Sequence, residues 1–167
     1  NKLINPDHRP LDIDYDRYVT IKNNLRKSNY NPKKLYKSSL FNVVDVGFNS
    51  IFLRANKDLV SILKNFNLDT LSISKYIKIT EKNILKLFDK KKGNFFSLDI
   101  KNKKKIEIPS ITNYFILFAD LNNRQINNKL IKNLKRHNKK EKYFFSSIKP
   151  NHKSFEEKRY WRVPVWI

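Results

Sequence analysis

Apolar residues recur at helical spacing in several stretches of the chain, and most of these stretches open on a residue that favours a helix start. The pattern predicts helices over 15–28, from Pro32 onward, over 57–66 and over 81–91. A further helix is predicted from about Asn122 to Lys139. The preceding Asp14, Asn31, Asn56 and Thr80 are the expected N-caps, and Gly93 is the expected stop of the fourth helix.

Other stretches have the composition or alternation of strands. Residues 41–55 are rich in β-branched and aromatic side chains, which predicts two short strands with a turn around Gly47. Residues 71–79 alternate apolar and polar positions and predict a strand. Residues 94–109 predict a β-hairpin, because Phe96, Leu98 and Ile100 alternate before a lysine-rich turn.

The last third of the chain predicts a strand–helix–strand unit. The near-continuous apolar run over 113–121 fits a strand buried on both faces, the helix follows it, and 142–148 fits a second strand. The prediction is therefore an α+β fold with a single compact mixed domain over 15–150. An extended N-terminal arm over 1–14 and an extended C-terminal tail over 151–167 would flank it, since both contain proline and lack a clear period.

The net charge of the chain indicates what class of partner it binds. The chain has 36 Lys and Arg against 15 Asp and Glu, a net charge of +21. The excess positive side chains repel one another, and binding to a polyanion relieves this repulsion. The 28 Lys, 8 Arg and 22 Asn are also typical of an AT-rich genome, so codon bias explains part of the excess.

The predicted helix over 122–139 separates apolar from cationic residues. Ile126, Leu130, Ile131 and Leu134 share one stripe. The cations on the other face and at the helix end are Lys129, Lys132, Lys135, Arg136, Lys139 and Lys140. No Glu at i±4 compensates them, which favours contact with phosphates over a solvated helix face.

Two other segments are candidates for RNA binding. The hairpin turn would present Lys101, Lys103, Lys104 and Lys105, although lysines at a loop tip also serve solubility alone. The C-terminal segment holds Arg159 and Arg162 among aromatic residues, a combination that stacks on unpaired bases. The apolar ending of that segment, "VPVWI", favours a tail that docks on the domain or on a neighbouring protein.

The sequence offers no catalytic, cofactor or metal motif. There is no Cys, and two Gly are too few for a phosphate-cradling loop. Asp12, Asp14 and Asp16 alternate, but the residues after them do not complete a calcium loop, so helix capping or pairing with cations is the simpler interpretation. The longest apolar run is too short to span a bilayer.

These observations predict a structural RNA-binding protein without enzymatic activity: a diverged or lineage-specific ribosomal protein of an organelle, which binds the RNA backbone through its lysine-rich surfaces. The partners would be ribosomal RNA and neighbouring ribosomal proteins, with no membrane and no cofactor, and the location would be a mitochondrial ribosome. Two alternatives remain open. One is a nucleic-acid-processing enzyme that uses Asp12, Asp14, Asp16 or Asp120, and the other is an accessory subunit whose basicity comes from codon bias.

Overall fold

Helices make up most of the residues that the structure describes, and two small antiparallel sheets accompany them there. A computed structural model describes residues 10–138, 146–153 and 155. The predicted α+β class is confirmed, as far as the class of the fold is concerned. Among the described residues, none of the helices combines the length and apolar character needed to cross a lipid bilayer.

The elements follow one another as α1 (Asp12–Lys27), α2 (Pro32–Ser38), β1 (Val43–Val44), α3 (Val46–Asn65), α4 (Leu71–Ile84), a first 3-10 helix (Leu85–Leu87), β2 (Phe88–Asp89), β3 (Asn94–Phe95), β4 (Leu98–Asp99), β5 (Lys104–Lys105), a second 3-10 helix (Ile111–Leu117) and α5 (Arg124–Asn138). One sheet has the order β1-β4-β5, and the other pairs β2 with β3. All pairs are antiparallel.

The helices α1, α2 and α5 confirm the sequence predictions. The side chain of Asn31 accepts hydrogen bonds from the backbone N–H groups of Lys33 and Lys34, so it caps α2 as expected. The prediction of Asp14 as the N-cap of α1 is wrong, because the N-cap is Leu11; Asp14 lies in the first turn, where its carboxylate accepts a hydrogen bond from the backbone N–H of Leu11. The predicted N-terminal arm is wrong at its end, because residues 12–14 already belong to α1.

The prediction of two strands around Gly47 is wrong. Only Val43–Val44 is a strand, and α3 then runs without interruption to Asn65. Asp45 explains the difference, because its carboxylate caps the helix by accepting from the backbone N–H of Phe48 at 2.7 Å. Asn56, the expected cap, lies inside α3, where its side chain donates to the carbonyl oxygen of Phe52.

Residues 71–79 form the first part of α4 and not a strand. The apolar–polar alternation there coincides with helical spacing, since Ile73, Ile77 and Ile84 all turn inward. Thr80 therefore lies inside a helix that has already begun. Gly93, the expected helix stop, lies beyond the end of α4, in the turn between β2 and β3, where its φ is +62°.

The hairpin is confirmed over a short length. Leu98 pairs with Lys105 and Asp99 with Lys104, and the lysine-rich segment forms the turn between them. The prediction of a strand–helix–strand unit is wrong for its first strand, because residues 111–117 form a 3-10 helix. Residues 142–145 of the second predicted strand lie outside the described residues, and beyond them only a single antiparallel bridge joins Ile148 to Ser110.

The core lies between α3, the second 3-10 helix, α5 and β3. Its largest fully buried side chains are Val46, Ser50, Leu53, Phe95, Ile116 and Leu130. The predicted tail over 151–167 lies almost entirely outside the described residues, as do residues 1–9.

Candidate functional site

The cationic face of α5 exists as predicted. Leu130 is fully buried, whereas the side chains of Lys129, Lys132, Lys135 and Arg136 are exposed. Ile131 departs from the predicted apolar stripe, because 42% of it is exposed. Lys139, Lys140, Arg159 and Arg162 lie outside the described residues.

The hairpin lysines divide into two groups. Lys101, Lys103 and Lys104 are exposed at or beside the turn. Lys105 is half-buried, and its Nζ donates to the carbonyl oxygen of Phe88 at 2.9 Å and lies 3.9 Å from the Asp89 carboxylate. Lys105 therefore joins the two sheets and is not free to bind a ligand.

The β2–β3 turn and α5 are held together by Asn133. Its Nδ2 donates to the carbonyl oxygens of Gly93 at 2.9 Å and Lys92 at 3.1 Å. Lys92 in this turn forms an ion pair with Glu107 and lies over the ring of Phe96. The β2–β3 turn is thus adjacent to the cationic helix α5, and the charge of Lys92 in that turn is already matched by Glu107.

Several carboxylates make contacts that hold the fold together. The Asp45 carboxylate accepts from Ser97 Oγ at 3.0 Å, and Ser97 Oγ in turn accepts from the backbone N–H of Val46 at 3.0 Å. This network fixes the first turn of α3 against the segment before β4. Glu81 pairs with Lys57, and Asp58 pairs with Arg54 on the same helix.

Two carboxylates in turns are stabilised in their charged form. The side-chain amide of Asn102 is the main group that lowers the pKa of Asp99, and the backbone N–H of Lys92 is the main group that lowers the pKa of Asp89. Both hold the ends of short strands and are not poised for proton transfer. No cluster of three metal-ligating side chains occurs in the part of the chain that the structure describes.

An open polar cavity of about 650 Å³ lies where α3 meets the start of α5. Its lining includes Lys57, Asp120, Asn123, Arg124, Asn127 and Asn128. Amide side chains both donate and accept hydrogen bonds, as sugar hydroxyls do, so the chemistry of this lining suits a polyhydroxyl ligand. Asn127 also has a buried Oδ1 with no hydrogen-bond partner among the described residues.

The cations of this cavity differ in availability. Lys57 Nζ donates to the carbonyl oxygens of Ala119 and Asp120 and pairs with Glu81, so its donors are used. Arg124 is exposed at the first turn of α5. Asp120 is the single carboxylate among the described residues of the lining, so these residues alone do not bring two acids together.

A family model described as the mannosylglycerate hydrolase MGH1-like glycoside hydrolase domain matches residues 2–167 of this chain. The chain belongs to the MGH1-like glycoside hydrolase family. The mannosylglycerate hydrolase of Thermus thermophilus is 36% identical over 166 residues, which cover 99% of this chain and 40% of that protein. Mannosylglycerate hydrolase MGH1 of Selaginella moellendorffii is 28% identical over 161 residues.

Solved structures agree with the sequence comparison. The crystal structure of the GH63 mannosylglycerate hydrolase from Thermus thermophilus in complex with Tris has a TM-score of 0.90 and 35% identity, covering 98% of this chain and 39% of that chain. Neutral trehalase Nth1 from Saccharomyces cerevisiae, at 19% identity and a TM-score of 0.52, shares the fold alone. The chain thus spans about two fifths of the length of the mannosylglycerate hydrolases from Thermus that it matches.

Family membership corrects the functional predictions. A glycoside hydrolase domain is an enzyme domain, so the predictions of a ribosomal protein, of no enzymatic activity, and of ribosomal RNA and ribosomal proteins as partners are wrong. The nucleic-acid-processing enzyme and the accessory subunit do not match either. No comparison tests the contacts assigned to individual lysines or the mitochondrial location, and these stay predictions.

The periodicity of 122–128 predicts only the start of a helix, and nothing in that pattern predicts the cavity beside it. The available signal was the dense run of amides in "LNNRQINN". Because Asn occurs 22 times throughout the chain, this run did not stand out.

Proposed function

We propose that this chain forms part of the catalytic domain of a hydrolase that cleaves mannosylglycerate or a closely related glycoside. The observation that carries the proposal is the 36% identity to the Thermus mannosylglycerate hydrolase across 99% of this chain. The TM-score of 0.90 to a solved enzyme of that name supports it.

The chemistry of the substrate is compatible with the composition of the chain. Mannosylglycerate joins a polyhydroxyl sugar to a carboxylate, so it is an anion at neutral pH. A net charge of +21 attracts an anionic substrate over distances of about one Debye length, roughly 8 Å at physiological salt. This attraction supplies a function for part of the cationic surplus without a nucleic acid.

We infer that the catalytic pair includes residues outside the described ones. Most glycoside hydrolases use two carboxyl groups, roughly 5–5.5 Å apart for retention and 6.5–9.5 Å apart for inversion. The described cavity contributes Asp120 alone, and it is open to solvent. Asp45 and Glu81 hold helices in place, so the described residues serve mainly as the scaffold of the active site.

The proposal is tested by incubating the native polypeptide that carries this chain with mannosylglycerate and a set of related glycosides. We expect free mannose and glycerate from mannosylglycerate, with a higher kcat/KM than for a neutral methyl mannoside. A folded polypeptide that releases no sugar from any member of the set would overturn the proposal. Release from the neutral mannoside alone would overturn its substrate class.

A further inference from the structure

Two neighbouring segments of the domain bring five cations to one surface. Asn133 of α5 donates to the carbonyl oxygens of Lys92 and Gly93, so the turn between β2 and β3 lies against one flank of α5. The stem of Lys129 passes the same turn, because a Cβ atom placed on Gly93 would lie 3.8 Å from its Cβ and Cδ. We call the exposed, unpaired cations of these two segments the basic patch: Lys90, Lys91, Lys129, Lys132 and Arg136.

The cations of α5 in the basic patch lie on the side of the helix that carries Asn133. At about 100° per residue, the three cations and Asn133 fall within an arc of about 100°, and Lys129 to Arg136 spans about 10 Å along the axis. Lys135 lies outside this arc. The patch therefore extends from the β2–β3 turn along about two turns of the helix.

Among the described residues, no acid neutralises the basic patch. The helix α5 contains neither Asp nor Glu. In the turn, the carboxylate of Asp89 accepts from the backbone N–H groups of Lys91 and Lys92 and lies 3.9 Å from Lys105 Nζ. Glu107 pairs with Lys92, which for this reason is not part of the patch. The five cations make no ion pair with another described residue.

The composition of the basic patch indicates which kind of anion it fits. Four of its five cations are Lys, whose ammonium is a point charge on a flexible stem, unlike the rigid fork of Arg. Protein interfaces are depleted in Lys and enriched in aromatic residues, and single-stranded nucleic acids bind where aromatic rings stack on bases. Neither residues 90–93 nor α5 contain Phe, Tyr or Trp. A surface of anionic lipid headgroups requires no stacking and no fixed geometry, and clusters of about four to eight basic residues on an amphipathic helix are typical of contact with it.

We propose that the basic patch docks the protein on the surface of a bilayer that contains anionic lipids. The contact is electrostatic and peripheral, because the five side chains place charge at the headgroups and no apolar side chain among the lipid tails. This partner departs from the expectation of no membrane, which followed from the lack of a run long enough to span one. The proposal holds whichever glycoside is hydrolysed.

Vesicle sedimentation of the native polypeptide that carries this chain tests the proposal. Vesicles of phosphatidylcholine alone are compared with vesicles that also contain about 30% phosphatidylglycerol, at about 0.15 M salt. The patch variant combines Lys91→Gln with Lys132→Gln, one cation from each segment. The control variant combines Lys33→Gln with Lys37→Gln, two exposed lysines of α2. Both variants lose the same charge, so a difference between them reports on its position.

We expect the wild type to bind the anionic vesicles and not the neutral ones. Each cation near the surface contributes about fivefold to the apparent affinity, so the patch variant should bind about 25-fold more weakly and the control should stay within about threefold. Lys90→Gln with Arg136→Gln provides a second patch variant should the first not fold.

Equal losses in the patch and control variants overturn the proposal, because net charge alone then explains the binding. Equal binding to neutral and anionic vesicles overturns it too. The proposal is also wrong if the native polypeptide does not bind anionic vesicles, even where soluble polyphosphate binds through the same lysines.

Discussion

Lys57 Nζ lies 2.8 Å from the carboxylate of Glu81 and joins α3 to α4. The same ammonium donates to the carbonyl oxygens of Ala119 at 3.1 Å and Asp120 at 2.6 Å. One side chain therefore connects two helices to the turn that precedes α5. This is the turn that forms one wall of the polar cavity.

Replacing Lys57 with Met is expected to destabilise the fold. The substitution keeps most of the apolar stem but removes three polar contacts, leaving two carbonyl groups and one carboxylate without their donor. We expect a loss of about 1–3 kcal/mol in the free energy of unfolding, measured by urea denaturation of the native polypeptide. Lys64→Met, at an exposed position of the same helix, is the matched control. An equal effect of the two substitutions would contradict the assigned role of Lys57.

The core side of α5 gives a second prediction. Leu130 is fully buried and its neighbour Ile131 is 42% exposed. Truncating Leu130 to Ala leaves a cavity in the core, which we expect to cost about 2–5 kcal/mol. Ile131→Ala is expected to cost less than about 1 kcal/mol. Both losses of unfolding free energy follow from denaturation midpoints. A larger loss for Ile131→Ala than for Leu130→Ala would contradict the assignment of Leu130 to the buried face of α5.

The helices α5 and α3 show which parts of the fold could be predicted from the sequence. The helix α5 was predicted because apolar and cationic positions separate cleanly over four turns. The helix α3 was predicted wrongly at its start, because Val43, Val44 and Val46 favour strands by propensity. The Asp45 cap and burial against the second 3-10 helix outweigh that preference.

Function was harder to predict than fold. The excess of Lys over acids is a property shared by many classes of protein, so it did not identify a partner. A pair of hydrolytic carboxylates is assembled from positions distant in sequence, and no spacing in one chain reveals it. The cavity lining combines Lys57 with residues more than 60 positions later, which only the folded structure brings together.

The carboxylate of Asp99 predicts a pH effect on stability. It accepts hydrogen bonds from Asn102 Nδ2 at 2.6 Å and from the Asn102 backbone N–H at 3.1 Å, which lower its pKa in the folded state. A lowered folded-state pKa means that the stabilisation is present above the unfolded pKa of about 3.9 and is lost as the pH falls through the folded value.

We therefore expect the wild-type protein to lose unfolding free energy more steeply than Asp99→Asn as the pH is lowered from 5 toward about 2. Asn102→Ala should flatten the profile in the same direction, because it removes the side-chain donor. Urea denaturation at several pH values provides the measurement. Parallel profiles for the wild type and both variants would contradict the assignment.

Asp120 tests where the catalytic acids lie. It is the single carboxylate of the described cavity, and a hydrolase needs a second one nearby. We expect Asp120→Asn to keep kcat within about threefold of the wild-type value on mannosylglycerate, because we infer that both acids of the pair lie outside the described residues. A loss of more than about a thousandfold, with unfolding unchanged, would place catalysis in this cavity.

The central claim is that the native polypeptide hydrolyses a glycosidic bond, and isotope incorporation from water measures this step directly. When mannosylglycerate is turned over in water enriched in oxygen-18, a hydrolase that cleaves at the sugar carbon transfers one labelled oxygen to C1 of the freed mannose. We predict mannose with one heavy oxygen and unlabelled glycerate, detected by mass spectrometry in short incubations. Intact mannosylglycerate after prolonged incubation with the folded polypeptide would contradict the account.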